Sequence, residues 1–139
     1  MRLLLVTLLL ALSACAQQPP RDDSLYRALG GQAGIEAVVE GMLLKIAGDV
    51  RIVHHFEDVD IQRLRDKLVE QLCMEAGGPC SYTGDSMEES HTGMRLTPGD
   101  FNALVENLQA AMTEQGIAIP AQNRLLARLA PMRGQIIDR

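Results

Sequence analysis

Outside the cysteines, three histidines are the side chains best suited to bind a transition metal: His54, His55 and His91. His91 lies in the segment MEESHTGM, between the thioether side chains of Met87 and Met94. A haem iron needs one neutral imidazole nitrogen as a ligand and apolar groups on both faces of the porphyrin. The surroundings of His91 satisfy this requirement, although a surface histidine is the commoner outcome for such a residue. The residue types alone therefore permit a haem ligand here and do not demand one.

Other metal and nucleophile chemistry has less support. A structural zinc site needs four ligands at short, paired spacings. Cys73, Cys80 and His91 supply three, at a spacing that fits no common zinc module. The chain contains no Gly-x-Ser-x-Gly segment to carry a nucleophilic serine, and no glycine-rich phosphate loop that follows a strand. We therefore expect neither a zinc centre nor a serine nucleophile.

Two segments precede the globular domain. Residues 1–14 carry Arg2 and an apolar run of about ten residues, which is too short to span a bilayer as a helix and is typical of a secretory signal peptide. The run ends in Leu-Ser-Ala-Cys, which resembles the bacterial lipobox and implies cleavage before Cys15 and lipid attachment to its thiol. Residues 15–23 then form a polar, proline-containing tether, and residues 24–139 form the domain. An ordinary cleaved signal with a chance cysteine is the alternative.

Lipid attachment at Cys15 would anchor the domain to a membrane of the bacterial cell envelope, facing the periplasm. Ala16 follows the cysteine where an aspartate would favour retention in the inner membrane, so the outer membrane is favoured. Loss of Arg2 leaves 12 of the 13 basic residues against 18 acidic ones, a net charge of −6. Nucleic acid is bound through basic patches, so no nucleic acid partner is expected.

In an oxidising compartment, Cys73 and Cys80 form an even pair that can be bridged. They flank Met-Glu-Ala-Gly-Gly-Pro, which is typical of a helix end followed by a turn. We expect a disulfide that staples this turn and takes no part in chemistry; two independent thiols are the alternative.

Apolar residues recur at helical spacing over most of the domain, and no strand pattern of useful length appears. Gly30 and Gly31 precede the first of four apolar stripes, over residues 35–46, and allow a sharp turn. The second stripe ends at Gly-Gly-Pro, and the fourth follows a break at residues 116–120. Thr97 and Pro98 are placed as the N-cap and first residue of the third helix. The four stripes cover residues 35–46, 61–72, 101–112 and 125–137.

Residues 81–96 lie between the second and third stripes and carry no long apolar stripe of their own. A stretch of about 16 weakly structured residues inside a compact domain usually serves a binding site. Because His91 lies in this stretch, we expect the site to be built around it.

Several motifs follow one another between residues 25 and 136. They are Leu25-Tyr26-x-x-Leu29-Gly30-Gly31, Gly34-Ile35-x-x-Val38-Val39, Gly77-Gly78-Pro79-Cys80-x-Tyr82-Thr83-Gly84, Met87-x-x-x-His91-x-Gly93-Met94, Asp100-Phe101 and Leu125-Leu126-x-x-Leu129-Ala130-Pro131-Met132. In this order they resemble the motifs of group I truncated haemoglobins. The resemblance implies an all-α fold, the two-over-two helical sandwich, which encloses a b-type haem. It also implies that His91 is the proximal iron ligand, because the family's ligand is the histidine of the Met-x-x-x-His-x-Gly motif.

The same resemblance assigns further residues to the haem pocket. It places Leu64 and Leu68 over the iron, on a distal helix that covers residues 61–72, and Lys67 where a haem propionate could pair with it. His54 and His55 would lie near the haem edge, where one could reach a propionate or bind the iron as a sixth ligand; a solvated pair is the alternative. The full cofactor-binding set is Phe56, Leu64, Lys67, Leu68, Leu72, Met87, His91, Met94, Leu96 and Phe101.

The distal pocket, implied to be Met42, Leu43, Leu64 and Leu68, departs from the family pattern. The family usually carries a Phe-Tyr pair on its first long helix and a glutamine on the next, and the tyrosine hydroxyl donates a hydrogen bond to bound oxygen. Here Met42 and Leu43 stand in place of the pair, and Leu68 in place of the glutamine. Each charge-assisted hydrogen-bond donor contributes about 1.5–3 kcal/mol to the free energy of oxygen binding. We therefore expect oxygen release to be roughly 10- to 100-fold faster for each lost donor.

These residues predict a haem protein that binds oxygen, nitric oxide or carbon monoxide, in gas binding, transport or sensing at the cell envelope. One alternative is a nitric oxide dioxygenase or another haem-dependent redox enzyme, which the missing donors disfavour and whose redox partner is unspecified. The other is a cofactor-free helical lipoprotein that serves as an interaction module, which the retained His91 disfavours. A binding protein is favoured over an enzyme.

Overall fold

The computed structural model describes residues 22–139, which are helical apart from turns and one isolated bridge between Leu96 and Ile137. The predicted signal peptide, Cys15 and most of the tether lie outside the described residues. Within residues 22–139, no helix combines the length and the apolar character needed to cross a membrane. The α-helices are α1 (Ser24–Ala28), α2 (Gly31–Ala47), α3 (Ile61–Glu75), α4 (Met87–His91), α5 (Pro98–Glu114), α6 (Ile119–Leu129) and α7 (Arg133–Ile136), with 3-10 turns at Val53–Phe56 and Ala130–Met132.

The long helices α2, α3, α5 and α6 form the predicted two-over-two sandwich. α2 packs against α3 and α5, and α6 packs against the same two helices. The apolar stripe of α2 faces the core, because a spacing of three and four residues keeps these side chains on one face of the helix. The buried residues of α2 are Ile35, Val38, Val39, Met42 and Ile46, and they share the core with Leu72, Leu108, Met112 and Leu125.

Glycines at the start of α2 let the chain turn sharply out of α1. Gly30 and Gly31 have φ angles of 88° and 66°, in the left-handed region that other residues rarely adopt. One turn later, Gly34 lies so close to Leu29 that a Cβ at Gly34 would overlap the Leu29 carbonyl oxygen. Further along α2, a Cβ at Gly41 would lie 3.5 Å from the Cβ of Ala111, which is an ordinary contact.

We expect Gly34→Ala and Gly41→Ala to change stability in opposite directions. Gly34→Ala should lower the free energy of unfolding by about 1–3 kcal/mol, because the backbone at Leu29 must move. Gly41→Ala should raise it by up to about 1 kcal/mol, because alanine favours a helix interior and finds space there. Urea denaturation of both variants measures these changes. Equal stability of the two variants would contradict the close contact at Gly34.

The predicted start of α5 is confirmed. The hydroxyl of Thr97 accepts a hydrogen bond from the N–H of Asp100, and the Asp100 carboxylate accepts one from the N–H of Thr97. This reciprocal capping box satisfies two donors that a helix start otherwise leaves unpaired. Pro98 occupies the first helical position, where its missing N–H costs no hydrogen bond.

Two elements differ from the prediction. The stripe over residues 125–137 is not one helix: α6 already begins at Ile119, and Pro131 interrupts the helical hydrogen bonds after Leu129. Pro120 lies in the first turn of α6, where proline is tolerated, so the helix starts inside the predicted break. The second difference is α4, a five-residue helix within the stretch that carries no long apolar stripe.

Cys73 and Cys80 form a disulfide, with their Cα atoms 6.1 Å apart. Cys73 is 1% exposed near the end of α3, and Cys80 is partly buried against the core. The bridge therefore closes the turn that leads out of α3 towards α4.

Reduction of this disulfide should destabilise the domain. The two cysteines are seven residues apart, and closing so short a ring stabilises the fold by about 2.5 kcal/mol on the loop-entropy relation. We expect a reductant to lower the free energy of unfolding by about this amount. Urea denaturation with and without reductant measures the change, and the Cys73→Ala/Cys80→Ala double variant is a control that reductant should not affect. A urea unfolding midpoint of the wild type that does not change with reductant would contradict this expectation.

Candidate functional site

His91 is the last residue of α4, and its side chain is half-buried. Its Nδ1 lies 2.6 Å from the carbonyl oxygen of Met87, one turn earlier in the same helix. A carbonyl oxygen can only accept, so Nδ1 carries the proton and donates this bond. Nε2 then keeps a free lone pair, and no described residue forms a hydrogen bond with it. An imidazole fixed in this tautomer presents one nitrogen donor to a metal.

α4 is short, but contacts at its start and after its end keep it in place. The hydroxyl of Ser86 accepts from the N–H of Glu89, whose carboxylate accepts from the N–H of Ser86, which forms a capping box. After the helix, the N–H of Arg95 donates to the carbonyl oxygen of Arg139 at 2.9 Å. α4 itself packs mainly against α7. The C-terminal segment therefore fixes the position of His91.

One face of α3 reaches α4 through Gln71. Its residues are spaced by three and four positions, which aligns side chains along one side of a helix. Gln71 on this face contacts Met87 on α4. Leu64 and Leu68 are only half-buried although both are apolar, whereas Leu72 is 4% exposed and belongs to the main core. The face consists of Leu64, Lys67, Leu68 and Gln71.

Lys67 forms an ion pair within the protein. Its Nζ lies 2.9 and 3.1 Å from the two carboxylate oxygens of Glu70 and also donates to the hydroxyl of Thr83. The N–H and the hydroxyl of Thr83 donate to the same carboxylate. These hydrogen bonds lower the pKa of Glu70 to about 2, and the bond from Lys67 has the largest effect. The carboxylate is therefore ionised at neutral pH. The family resemblance implies that a haem propionate could pair with Lys67; within the described residues its carboxylate partner is Glu70.

Gln71 lies on this face but is absent from the predicted pocket. Its side chain is 8% exposed, and its Nε2 lies 3.4 Å from the Sδ atoms of Met87 and Met132. The signal in the sequence that could have identified it is a glutamine at the next helical position of an apolar stripe, three residues after Leu68 and seven after Leu64. Gln71 thus links α3, α4 and the 3-10 turn at Ala130–Met132.

The predicted distal residues of α2 occupy two environments. Met42 is 2% exposed and packs in the core. Leu43 is half-buried and, together with Phe56, lines a cavity of about 640 Å³ between the end of α2 and the start of α3. The lining of this cavity does not include His91.

The two adjacent histidines differ in their surroundings. His54 is exposed, whereas Nε2 of His55 is buried and lies 3.6 Å from a carboxylate oxygen of Asp100. Asp100 accepts hydrogen bonds from the N–H and the hydroxyl of Thr97, which hold the pKa of its carboxyl below the usual range. His55 thus has an anionic neighbour within the protein, at the start of α5.

The remaining predicted residues follow His91 along the chain. Met94 and Phe101 are half-buried, and Leu96 is 8% exposed. The guanidinium carbon of Arg133 lies 5.8 Å from the centre of the Phe101 ring, which brings α7 against the start of α5.

The residues around α4 fit a haem. Leu64, Leu68, Met87 and Met94 are apolar and keep part of their surface exposed, and a flat apolar cofactor would bury such surface. His91 would hold the iron through Nε2, because Nδ1 is already committed to the Met87 carbonyl. When bound, haem supplies an iron centre that takes up a diatomic gas.

Comparison with known proteins agrees with this geometry. Residues 24–138 match the profile of the family described as bacterial-like globin. A group 1 truncated haemoglobin of Tetrahymena thermophila is 34% identical over 98 residues, which cover 70% of this chain and 81% of that protein. Another, from Nostoc sp. (strain MUN 8820), is 32% identical over 117 residues, which cover 84% and 99%. The crystal structure of truncated haemoglobin from Tetrahymena pyriformis, in the Fe(III) form, matches with a TM-score of 0.80 at 30% identity, over 83% of this chain and 98% of that chain.

The fold, the family profile and the similar proteins lead to one conclusion. They confirm the all-α two-over-two sandwich and the haem cofactor that the sequence predicts. The chain therefore belongs to the bacterial-like globin family as a group 1 truncated haemoglobin, a haem protein that binds diatomic gases.

Proposed function

We propose that this protein binds its gas reversibly and releases oxygen quickly, in gas transport or sensing at the cell envelope. The observation that carries the proposal is that Leu64 and Leu68, on one face of α3, are half-buried hydrocarbon side chains. The family resemblance implies that they lie over the iron, where a donor would retain oxygen. Lys67, the cation on this face, is already bound by Glu70 and Thr83. It therefore contributes little positive charge to a gas in the site.

The negative charge that a gas takes up on binding decides how strongly its affinity depends on hydrogen-bond donors in the pocket. Oxygen takes up negative charge on binding and gains about 1.5–3 kcal/mol from each donor, whereas carbon monoxide and nitric oxide take up less and gain less. A pocket without donors therefore narrows the preference for oxygen over the other two gases. It also leaves unstabilised the charge that develops in oxygenase turnover. This favours binding over catalysis.

Gas dissociation rates test the proposal. In stopped-flow experiments on the haem-loaded protein, we expect oxygen to leave roughly 10- to 100-fold faster than from a family member that carries the tyrosine and glutamine donors. Release as slow as in such a relative would refute the proposal. Catalytic consumption of nitric oxide in the presence of oxygen and a reductant would favour the dioxygenase instead.

The envelope location is proposed from the leader sequence. Leu-Ser-Ala-Cys supports acylation of Cys15, and the polar, proline-containing sequence that follows it supports a tether. Expression of the full chain in a Gram-negative host with an alkyne-labelled fatty acid tests this. We expect label and membrane association in the wild type and neither in Cys15→Ser. Unlabelled wild-type protein in the soluble fraction would contradict the anchor.

A further inference from the structure

The chain that follows α4 pairs with the segment that follows α7. The N–H of Arg95 donates to the carbonyl oxygen of Arg139 at 2.9 Å, and the N–H of Asp138 donates to the carbonyl oxygen of Leu96 at 3.0 Å. Leu96 also forms the isolated parallel bridge with Ile137, and it is 8% exposed. We call this pairing of residues 95–96 with residues 137–139 the strap.

The strap holds two residues in a backbone conformation that side chains rarely adopt. Among residues 22–139, Arg95 and Asp138 are the only residues other than glycine with a positive φ angle, at 49° and 59°. Such a conformation is costly, persists only where surrounding contacts impose it, and is concentrated at ligand clamps and switch regions. Because each of the two residues donates a backbone hydrogen bond of the strap, the pairing itself is the contact that imposes the conformation.

The strap is joined directly to the helix of the haem ligand. The N–H of Met94 donates to the carbonyl oxygen of His91 at 3.1 Å, which closes a turn, and Arg95 is the next residue. A guanidinium nitrogen of Arg139 also lies 3.5 Å from a carboxylate oxygen of Glu88 in α4. A helix of only five residues, such as α4, is not stable on its own. Its position therefore depends on contacts of this kind.

We propose that Arg95 and Asp138 are positioning residues for the iron ligand: through their backbone N–H groups they hold the imidazole of His91 where it binds haem, and so determine how tightly haem is retained. The inference rests on His91 as the iron ligand and adds the residues that orient it. Loss of a group that orients a metal ligand lowers metal affinity by roughly 10- to 100-fold. The side chains of both residues are exposed, so substitutions there act on the backbone pairing and not on the core.

Asp138→Pro breaks the strap at one end. Proline lacks the N–H that bonds to Leu96, and it fixes φ at about −65°, far from the 59° of Asp138. In the haem-loaded variant we expect haem to pass to an acceptor apoprotein about tenfold faster than from the wild type. The iron–histidine stretching band in the resonance Raman spectrum of the ferrous form should shift or broaden, because the imidazole is no longer held in one orientation.

Asp138→Gly is the conservative partner of this variant. Glycine keeps the N–H and adopts a positive φ angle without steric cost, so haem transfer and the stretching band should stay close to those of the wild type. Arg95→Pro and Arg95→Gly repeat the comparison at the other end of the strap, where proline removes the bond to Arg139. An effect of proline that glycine does not produce assigns the role to the backbone pairing.

Gly34→Ala controls for a general loss of stability. It disturbs the close contact with Leu29 at the start of α2, away from the strap, and should leave the stretching band unchanged. If both proline variants keep the wild-type rate of haem transfer and the wild-type band, the inference is overturned. If they lower only the melting temperature, the strap is purely structural, and the inference is overturned as well. If the haem-loaded wild type shows no iron–histidine band, the ligand assignment itself fails and the inference fails with it.

Discussion

A His91→Gly variant should lose stable haem binding. The substitution removes the imidazole that Met87 fixes through Nδ1, and with it the nitrogen that would hold the iron. Loss of a group that only orients a metal ligand costs roughly 10- to 100-fold in affinity, so loss of the ligand should cost more. We expect transfer of haem to an acceptor apoprotein to be at least about 100-fold faster than in the wild type. The Soret band after reconstitution should be weak and shifted.

Two further measurements make this prediction specific to His91. Added imidazole should restore much of the Soret band, because the free ligand can enter the space that glycine leaves. His54→Gly is the matched control, since His54 is exposed, and it should keep the wild-type spectrum. Full pigment in His91→Gly, or a colourless wild type after reconstitution, would contradict the assignment of the ligand.

The Leu43→Tyr/Leu68→Gln double variant should hold oxygen far longer than the wild type. Both positions are half-buried, so polar side chains can be introduced there without entering the main core. Each new donor should contribute about 1.5–3 kcal/mol to the binding of oxygen. We therefore expect oxygen release to slow by roughly 10- to 100-fold for each substitution, as measured by displacement with carbon monoxide.

Leu44→Tyr provides the control for this double variant. Leu44 precedes Lys45 on the outer side of α2 and is 77% exposed, so a tyrosine there should leave gas binding unchanged. Release of carbon monoxide from the double variant should change much less than release of oxygen. An unchanged oxygen rate in Leu43→Tyr/Leu68→Gln would show that these positions do not face the gas, and would remove the basis for the proposed fast release.

The long helices could be predicted because their signals are local. The stripe of α2 places its apolar residues on one face, and Thr97 with Pro98 sets the start of α5. The extent of α6 could not be predicted in this way. Pro120 and Pro131 can each begin or interrupt a helix, and the outcome depends on how α6 packs against α3 and α5.

The candidate site was predictable in its residue types and less so in its contacts. The motif around His91 led to the ligand through the family resemblance, whereas composition alone merely permitted it. The contact of Lys67 with Thr83 and the buried position of Gln71 did not follow from either. Both depend on segments that fold back onto α3 from elsewhere in the chain.

The sequence by itself determined an all-α domain with amphipathic helices and an imidazole, His91, in a methionine-bearing segment. The tertiary structure alone decided that Lys67 meets Thr83, that Gln71 meets Met132 and that His55 meets Asp100. The physical reason is the separation along the chain of the residues that interact. Helix formation depends on residues three or four apart, whereas a contact between distant side chains depends on how whole helices pack, which no local spacing encodes.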